Sequence, residues 1–268
     1  MSSEARFEAD WLELREPADH RARPEAVVRA LVEAGSSRGW SRVLDLGAGT
    51  GSNLRYLDPR LPWVRHWTLV DHDPALLVRA TDPAPGRTLR RVPGDLATEG
   101  LDAVQGADVV TASALLDLVS GAWLDRLVGR CAAAGAGVLF ALTWDGVIRW
   151  EPEDPDDEVI RAAVAAHQLR DKGLGRALGP GGAEAARSRL SAAGYRTEEA
   201  ASPWILEGRG DASLALALIR GWAEAALDVA PEAEVRVERW LRRRTAAVAA
   251  GAFHLEVGHR DLLGLPGT

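Results

Sequence analysis

An aspartate and three glycines at alternating positions form the most informative pattern in this sequence. Asp45 ends a short apolar run, and Gly47, Gly49 and Gly51 follow before an amphipathic stretch that begins at Asn53. This order predicts a buried strand, a tight turn and the start of a helix. Glycine lets a ligand approach the main chain without meeting a Cβ, and free N–H groups at a helix start favour an electron-rich ligand. We therefore expect a nucleotide-like cofactor across this turn.

The spacing of the glycines distinguishes two kinds of cofactor site. A dinucleotide-binding turn follows G-x-G-x-x-G, and its third glycine would fall where this chain has Ser52. The order Asp45, Gly47, Gly49, Gly51 instead resembles motif I of the class I S-adenosylmethionine (SAM)-dependent methyltransferases. The resemblance implies SAM as the cofactor and methyl transfer as the reaction.

Polar residues at the ends of further predicted strands extend this resemblance. Asp71 ends a second apolar run, about twenty residues after the glycines, where the family has an acid for the ribose hydroxyls. His72 lies where the family usually has a side chain against the adenine. Asp95-Leu96 follows a third strand, and similar methyltransferases use such an aspartate for the adenine amino group. Ser113 and Thr143 follow the fourth and fifth predicted strands.

Each of these residues also has a purely structural interpretation. Asp71 and Asp95 precede helical stretches and would then be N-caps. The glycines would serve only a tight turn, and His72 would be a solvated loop residue. Because the acids all fall at the same edge of one predicted sheet, we favour the ligand-binding interpretation.

Apolar runs along the chain predict an α/β fold. Five runs separated by helical stretches predict a parallel sheet with helices on both faces, and residues 195–200 form a sixth strand. The resemblance implies that a last strand, residues 253–260, runs antiparallel beside the fifth and sixth, giving a doubly wound, seven-stranded Rossmann-like sheet. Residues 1–268 are expected to form a single domain with these parts: cap helices over 1–38, a SAM-binding core over 39–145, a lid insertion over 146–182, and the rest of the sheet with two extra helices over 183–268.

Two arginines in the predicted cap helices are candidates for a contact with SAM. The leader is similar to those of some bacterial small-molecule methyltransferases, in which N-terminal helices close over the cofactor. Arg15 or Arg23 would then pair with the carboxylate of SAM. The alternative for either is a surface ion pair with Glu16 or Asp19.

The segment after the fifth strand is expected to form a substrate lid. Residues 151–158 are acidic and contain proline, which is typical of a solvated loop, and a helix over 159–169 follows. Lys172, the only lysine in the chain, then introduces a glycine-rich stretch. A helix followed by mobile or tightly turned chain at the edge of a cleft is typical of a lid.

Methyl transfer from SAM needs a general base only when the acceptor carries a proton of high pKa. Asp117 is the first candidate, because it lies just past strand four, where related enzymes face their substrate. Its alternative is an N-cap or a surface partner of Arg126. His167 in the lid is the second candidate, and its alternative is a solvated helix residue.

Composition restricts partners and location. The net charge of −7 disfavours broad contact with nucleic-acid phosphates, and the basic run 242–244 is interpreted as a solvated helix face. Cys131, the single cysteine, is expected to be a buried thiol and fits a reducing compartment. No apolar run is long enough to span a bilayer, and Glu4 and Glu8 do not fit a signal peptide. Metal-ligand spacing is absent, so no metal is expected.

We therefore predict a cytoplasmic SAM-dependent methyltransferase that acts on an oxygen or nitrogen of a small metabolite. The Asn-Pro-Pro-Tyr type of tetrad found in enzymes that methylate nucleic-acid amino groups is missing, since residues 111–114 read Thr-Ala-Ser-Ala. The alternatives are a methyltransferase for protein or RNA, a SAM-binding protein without catalysis, and an aminopropyl transferase. The last two helices are expected to cover the pocket or to form a homodimer surface.

Overall fold

Five parallel strands form the centre of the sheet, as the apolar runs predict. We describe residues 9–267 of a computed structural model; residues 1–8, which include Glu4 and Glu8, and residue 268 lie outside the described part. The parallel strands, with their bounds, are β1 (Arg42–Leu46), β2 (His66–Asp71), β3 (Thr88–Pro93), β4 (Val109–Ser113) and β5 (Gly137–Glu151). Apolar residues occupy both faces of the central strands because helices cover both sides of the sheet.

Three further strands complete a sheet of order β3-β2-β1-β4-β5-β8-β6, in which β7 also pairs with β8. They are β6 (Tyr195–Ala201), β7 (Trp204–Glu207) and β8 (His254–Pro266). The last strand, β8, lies antiparallel between β5 and β6, which confirms the expected arrangement. Within residues 9–267 the sheet has eight strands, so the expected number of seven is wrong. The additional strand is β7, which begins directly after Pro203. Its four residues are too few to show an alternating pattern in the sequence.

The first two helices precede β1, and the others lie in the connections between the strands. Their bounds are α1 (Ala9–Ala22), α2 (Glu25–Arg38), α3 (Ser52–Leu57), α4 (Pro74–Arg79), α5 (Leu101–Ala103), α6 (Gly121–Ala134), α7 (Asp157–Gln168), α8 (Gly182–Ala192), α9 (Ala212–Val229) and α10 (Glu234–Ala249). A π-helical turn, Leu96–Gly100, leads directly into α5. Local signals fix α6 well: the Ser120 hydroxyl accepts the Trp123 N–H at 3.3 Å, and Gly135 ends the helix in the left-handed conformation.

Two apolar clusters pack on opposite faces of the parallel strands. Leu44 and Leu46 of β1 belong to one cluster, and Val43 belongs to the other, as expected from the alternation of side chains along a strand. Cys131 lies in the first cluster and is fully buried, as expected, and burial raises the pKa of its thiol to about 12. These clusters hold the carboxyl ends of the strands in fixed positions.

A third apolar cluster extends the fold beyond the edge of the parallel sheet. β5 continues to Glu151 rather than ending at Leu142, and it pairs with the first half of β8 through two register shifts. Leu142 at the first shift has a left-handed φ of 52°, which interrupts the alternation that the sequence would otherwise display. Tryptophans of β5, β7, α9 and α10 pack in this cluster, namely Trp144, Trp150, Trp204, Trp222 and Trp240.

Two expectations about solvated segments hold for only part of each segment. Arg244 of the basic run is only 3% exposed; it pairs with Asp157, and its guanidinium lies 4.5 Å from the ring centre of Trp150. Arg243 pairs with Asp156, which is buried although it belongs to the acidic segment 151–158. The acidic loop and the basic helix neutralise each other, because burial of either charge alone would be unfavourable.

Candidate functional site

A first cavity opens at the carboxyl ends of β1, β2 and β4, beneath α1. Parallel sheets bind ligands at this edge, where the strand order reverses. Most of the predicted cofactor residues line it together: Asp45, Gly47, Gly49, Asp71, His72, Asp95, Leu96 and Ser113. Gly51 shapes the turn without lining the cavity, and Thr143 is buried outside it.

The glycine turn has a backbone that other residues adopt with difficulty. All three glycines have left-handed φ values, 65° at Gly47, 52° at Gly49 and 82° at Gly51. A Cβ at Gly51 would come within 2.9 Å of the Ala80 Cβ, so this position excludes a side chain on two grounds. The turn therefore exposes backbone to the cavity.

Asp45 has one carboxylate oxygen without a partner among the described residues. Its Oδ1 accepts from the Asn53 amide at 2.8 Å and from the Thr111 hydroxyl at 2.7 Å, while Oδ2 is buried and unpaired. Burial raises the pKa of Asp45 to about 6 despite these hydrogen bonds. A buried acceptor that lacks a protein partner fits a ligand group that donates hydrogen bonds.

Asp71 anchors the glycine turn to the end of β2. Its Oδ2 accepts the Gly49 N–H at 2.8 Å, and its Oδ1 accepts the Asp73 N–H at 3.0 Å. The N-cap of α4 is Asp73, whose side chain accepts the Ala75 N–H, so the N-cap alternative is wrong for Asp71. The carboxylate is buried at the cavity wall, and its contact with a ribose stays a prediction.

His72 and Asp95 lie at the outer part of the first cavity. The His72 ring nitrogen Nδ1 is 3.2 Å from Asp71 Oδ1, and the side chain is partly exposed. Asp95 accepts the Ala97 N–H at 2.5 Å and caps the π-helical turn, so the N-cap alternative holds here while the residue also lines the cavity. The Asp95 carboxylate has enough acceptor sites for both the Ala97 N–H and a donor on a ligand.

The two arginine candidates lie in different places. Arg15 lines the first cavity and forms the ion pair with Asp19 that was the alternative expectation. Arg23 does not line the cavity: it is buried, and it donates to Asp261 at 2.7 Å and to Asn53 at 3.0 Å. The structure therefore does not bring Arg23 to the ligand side, because α1 ends at Ala22 and Arg23 turns into the core.

A second cavity adjoins the first, and Asp117 lines it. Ser120 caps α6, and within residues 9–267 Asp117 forms no ion pair, so both structural alternatives for it are wrong. Asp117 is 6% exposed, and its Oδ1 has no partner in this part of the chain. Burial raises the pKa of Asp117 to about 6, although Arg15 and Lys172 act in the opposite direction.

Arg15, Ala114 and Leu118 line both cavities, which therefore meet at the end of β4. Ala114 and Leu142, both on the wall of the second cavity, have left-handed φ values of 51° and 52°. Such strained backbone is concentrated at functional sites. Because the two cavities share these lining residues, two binding regions lie directly beside each other.

His167 does not line either cavity. Its Nε2 lies 3.5 Å from an Asp228 oxygen and its Nδ1 lies 3.4 Å from the Lys172 amine. Burial, followed by the charges of Lys172 and Arg170, lowers the pKa of His167. Lys172, which follows α7, lines the first cavity instead, and burial lowers the pKa of its amine.

Several residues that build the site were not predicted from the sequence. Asn53 and Thr111 fix Asp45, and the position of Asn53 just after the glycine turn was the available clue. Trp204 and His259 line the second cavity from β7 and β8. They are far from the motifs along the chain, and only the pairing of long strands brings them to Asp117.

Comparison with solved structures identifies the fold. No protein-family model and no curated protein matches the sequence. A putative type II methyltransferase from Anaeromyxobacter dehalogenans aligns at 18% identity and TM-score 0.52, over 91% of this chain and 97% of that one. The chain has a methyltransferase fold. A cyclopropane-fatty-acyl-phospholipid synthase-like protein from Lactobacillus casei is similar to this methyltransferase fold at 18% identity and TM-score 0.51, over 94% and 90% of the two chains.

A further similar structure aligns with this chain over only part of each protein. An O-methyltransferase family protein from Burkholderia thailandensis aligns at 18% identity and TM-score 0.42, over 66% of this chain. The alignment covers 52% of that protein, so the chain spans about half of its length.

Two features are not found among residues 9–267. None of their helices combines the length and apolar character needed to cross a membrane. These residues also contain no cluster of three or more His, Cys, Asp or Glu side chains that would hold a metal ion.

Proposed function

We propose that this protein is a SAM-dependent methyltransferase that methylates an oxygen or nitrogen of a small molecule. The observation that carries the proposal is the junction of the two cavities at Arg15, Ala114 and Leu118. Methyl transfer requires a cofactor site and an acceptor site that meet at one point. The acids and the glycine turn belong to the first cavity, and the carboxylate of Asp117, whose Oδ1 is unpaired in the described residues, belongs to the second.

The chemistry of the first cavity fits SAM. Asp71 would accept the ribose hydroxyls, and the unpaired Oδ2 of Asp45 would accept from the amino group of the methionine part. Leu96, with His72 and Asp95 beside it, would hold the adenine. Arg15 would pair with the carboxylate of SAM in place of, or together with, Asp19.

The chain's own residues would align the reactants and accept a proton. SAM supplies an activated methyl group on a sulfonium when it is bound. Orientation of two reactants is worth roughly 7–11 kcal/mol of the barrier, and the rigid strand ends at β1, β2 and β4 are suited to provide it. Asp117, with a pKa of about 6, is largely ionised at neutral pH and would take the proton of the acceptor. We keep His167 only as a positioning residue, because it reaches Lys172 rather than a cavity.

The second cavity favours a small acceptor. Trp144, Trp204 and Trp222 line it and are each buried, so an acceptor that reaches Asp117 has to fit between them. The net charge of −7 also disfavours RNA as the acceptor. Lys172, Gly173 and Leu174 border the first cavity just after α7, which supports a lid in the part of the segment 146–182 that follows β5. The single buried Cys131 is consistent with the cytoplasmic location that we propose.

Calorimetry and melting curves with SAM, with its demethylated product S-adenosylhomocysteine and with NAD test the cofactor assignment. We expect binding of the first two and none of NAD. If neither adenosyl compound gives heat or a melting shift, the proposed function is wrong. Tighter binding of decarboxylated SAM than of SAM would indicate an aminopropyl transferase instead.

Transfer of a labelled methyl group to a fractionated bacterial extract tests the reaction. We expect label in the small-molecule fraction. Label found only in protein or RNA would establish the macromolecular alternative. Binding of SAM without label in any fraction would indicate a SAM-binding protein without catalysis.

A further inference from the structure

We propose that the methyl acceptor is an uncharged, planar aromatic molecule whose N–H or O–H group donates to Asp117 in the second cavity. This inference rests on the proposed methyl-transfer function and adds to it the chemical class of the acceptor. Four indole side chains, two unpaired polar atoms and the arrangement of charge carry it.

The walls of the second cavity are suited to a flat ring. Trp11, Trp144, Trp204 and Trp222 line it from four separate elements, α1, β5, β7 and α9. Aromatic rings pack against one another in offset or edge-to-face geometry and gain contact energy beyond the area that they bury. An aromatic guest would therefore use these walls better than a flexible or sugar-like one.

Two buried polar atoms in this cavity lack partners in the described chain. They are Asp117 Oδ1 and His259 Nδ1, on side chains that are 6% and 5% exposed. Buried polar atoms are nearly always hydrogen-bonded, since desolvation without a partner is unfavourable. An acceptor molecule with one N–H or O–H donor satisfies Asp117, and a second polar atom on its ring would satisfy His259.

The charges around the cavity select against an ionic acceptor. Arg15 donates to both oxygens of Asp19 and lies 5.0 Å from the ring centre of Trp204, so its charge is already compensated. A carboxylate on the acceptor would be repelled by Asp117, and Arg15, which is shared between Asp19 and the proposed carboxylate of SAM, is not left free for it. A cation would lie beside the amine of Lys172, whose charge acts on Asp117. An uncharged molecule avoids both penalties.

Methyl transfer from SAM to this acceptor forms one bond and breaks one. The lone pair of the acceptor's oxygen or nitrogen forms the new bond to the methyl carbon, and the carbon–sulfur bond breaks with its electrons remaining on sulfur. The proton of the acceptor passes to Asp117 Oδ1 and then to solvent. No oxidant or further reactant is required.

A set of four matched compounds tests the class of the acceptor by calorimetry in the presence of S-adenosylhomocysteine. The compounds are 2-naphthol, 2-methoxynaphthalene, 2-naphthoate and 2-decalol, which differ in the donor, the charge or the planarity. We expect 2-naphthol to bind roughly tenfold more tightly than 2-methoxynaphthalene, because a hydrogen bond to a buried carboxylate contributes at least that factor. We expect weaker binding of 2-naphthoate and 2-decalol than of 2-naphthol.

The outcomes separate this inference from the proposed function. Equal or tighter binding of 2-naphthoate or 2-decalol overturns the uncharged planar class. Binding of S-adenosylhomocysteine with no binding of any of the four compounds overturns the class and leaves the methyl-transfer function in place. If the protein binds 2-naphthol selectively but does not bind S-adenosylhomocysteine, the proposed methyl-transfer function is wrong. The uncharged planar ligand class of the second cavity is then still supported.

Two variants locate the contact. Asp117→Leu is expected to remove the preference for 2-naphthol over 2-methoxynaphthalene, whereas Asp73→Ala, which removes the N-cap of α4 outside both cavities, leaves that preference unchanged. Circular dichroism melts establish that each variant is folded. If Asp117→Leu is folded and retains the preference, Asp117 is not the partner of the donor. If it does not fold, the four-compound series on the unaltered protein decides alone.

Discussion

Arg15 donates to both carboxylate oxygens of Asp19, at 2.9 and 3.0 Å, and in this position it lines both cavities. Its guanidinium also lies over Trp204, whose indole N–H donates to Asp19 at 3.1 Å. The helix α1 thus contributes one charged group to the boundary between the proposed cofactor and acceptor sites. This relationship makes Arg15 the clearest test of how SAM is held.

Arg15→Lys is expected to weaken binding of S-adenosylhomocysteine by about tenfold. Lysine keeps the charge but cannot form a two-point contact with a carboxylate. The matched ligand is 5′-methylthioadenosine, which lacks the carboxylate, and we expect its affinity to be unchanged. Calorimetry with both ligands measures the difference. An equal loss for both would mean that Arg15 acts through the packing of α1 and not through the carboxylate.

Asp71→Ala is expected to reduce SAM affinity by roughly 100-fold. The substitution removes the proposed ribose contact together with the hydrogen bond that holds the Gly49 N–H. The control is Asp73→Ala, which removes only the N-cap of α4. It should lower the free energy of unfolding by about 1 kcal/mol and leave SAM affinity nearly unchanged. Unaltered SAM binding by Asp71→Ala would disprove the assignment of this residue.

Asp45→Asn is expected to stabilise the ligand-free protein at neutral pH while it weakens SAM binding. The folded-state pKa of Asp45 is raised to about 6 by burial, above its unfolded value of about 4. The folded state therefore binds more protons between these values, and stability falls as the pH rises through them. The free energy of unfolding of Asp45→Asn should exceed that of the unaltered protein at pH 7.5, and this difference should be absent below pH 4. Urea denaturation at the two pH values measures it, and a loss of stability at pH 7.5 would contradict this account.

The rate of methyl transfer is expected to fall below pH 6. Asp117 must be ionised to accept a proton, so kcat/KM should decrease tenfold for each pH unit below its pKa of about 6. The buried His259 has a pKa lowered to about 3, and Asp45, whose pKa is also raised to about 6, is separated by measuring kcat/KM for the acceptor at saturating SAM, so we assign this fall in rate to Asp117. The Asp117→Asn variant should no longer show this fall in kcat/KM below pH 6, and its rate should be lower by about 10²–10⁴-fold. The same pH dependence in the variant would exclude Asp117 as the base.

Arg244→Ala is expected to destabilise the fold by about 3–5 kcal/mol. The substitution leaves the Asp157 carboxylate without its arginine and removes the guanidinium from Trp150. Arg242→Ala is the matched control on the same helix, because Arg242 is mostly exposed and its ion pair with Glu238 is long, at 3.6 Å. Chemical denaturation of both variants measures the difference. Equal stabilities would show that the buried pair contributes little.

The sequence by itself predicted the parallel core and most of the acids and glycines that line the first cavity. Apolar runs, a glycine turn and acids at strand ends are local features, since each needs only a few adjacent residues to be visible. The sequence alone therefore predicted the correct edge of the sheet for Asp45 and Asp71. The antiparallel position of the last strand followed from the family resemblance rather than from its own pattern.

The tertiary structure alone decided which polar groups face the ligand side. Arg15 and Arg23 are close in the chain, yet one lines both cavities and the other is buried against Asp261, because α1 ends between them. His259 and Asp117 line the same cavity only because β5 and β8 continue past the sheet and pair through register shifts. Long-range pairing and the direction in which a helix ends depend on the packing of distant elements. A local pattern of residues does not contain that information.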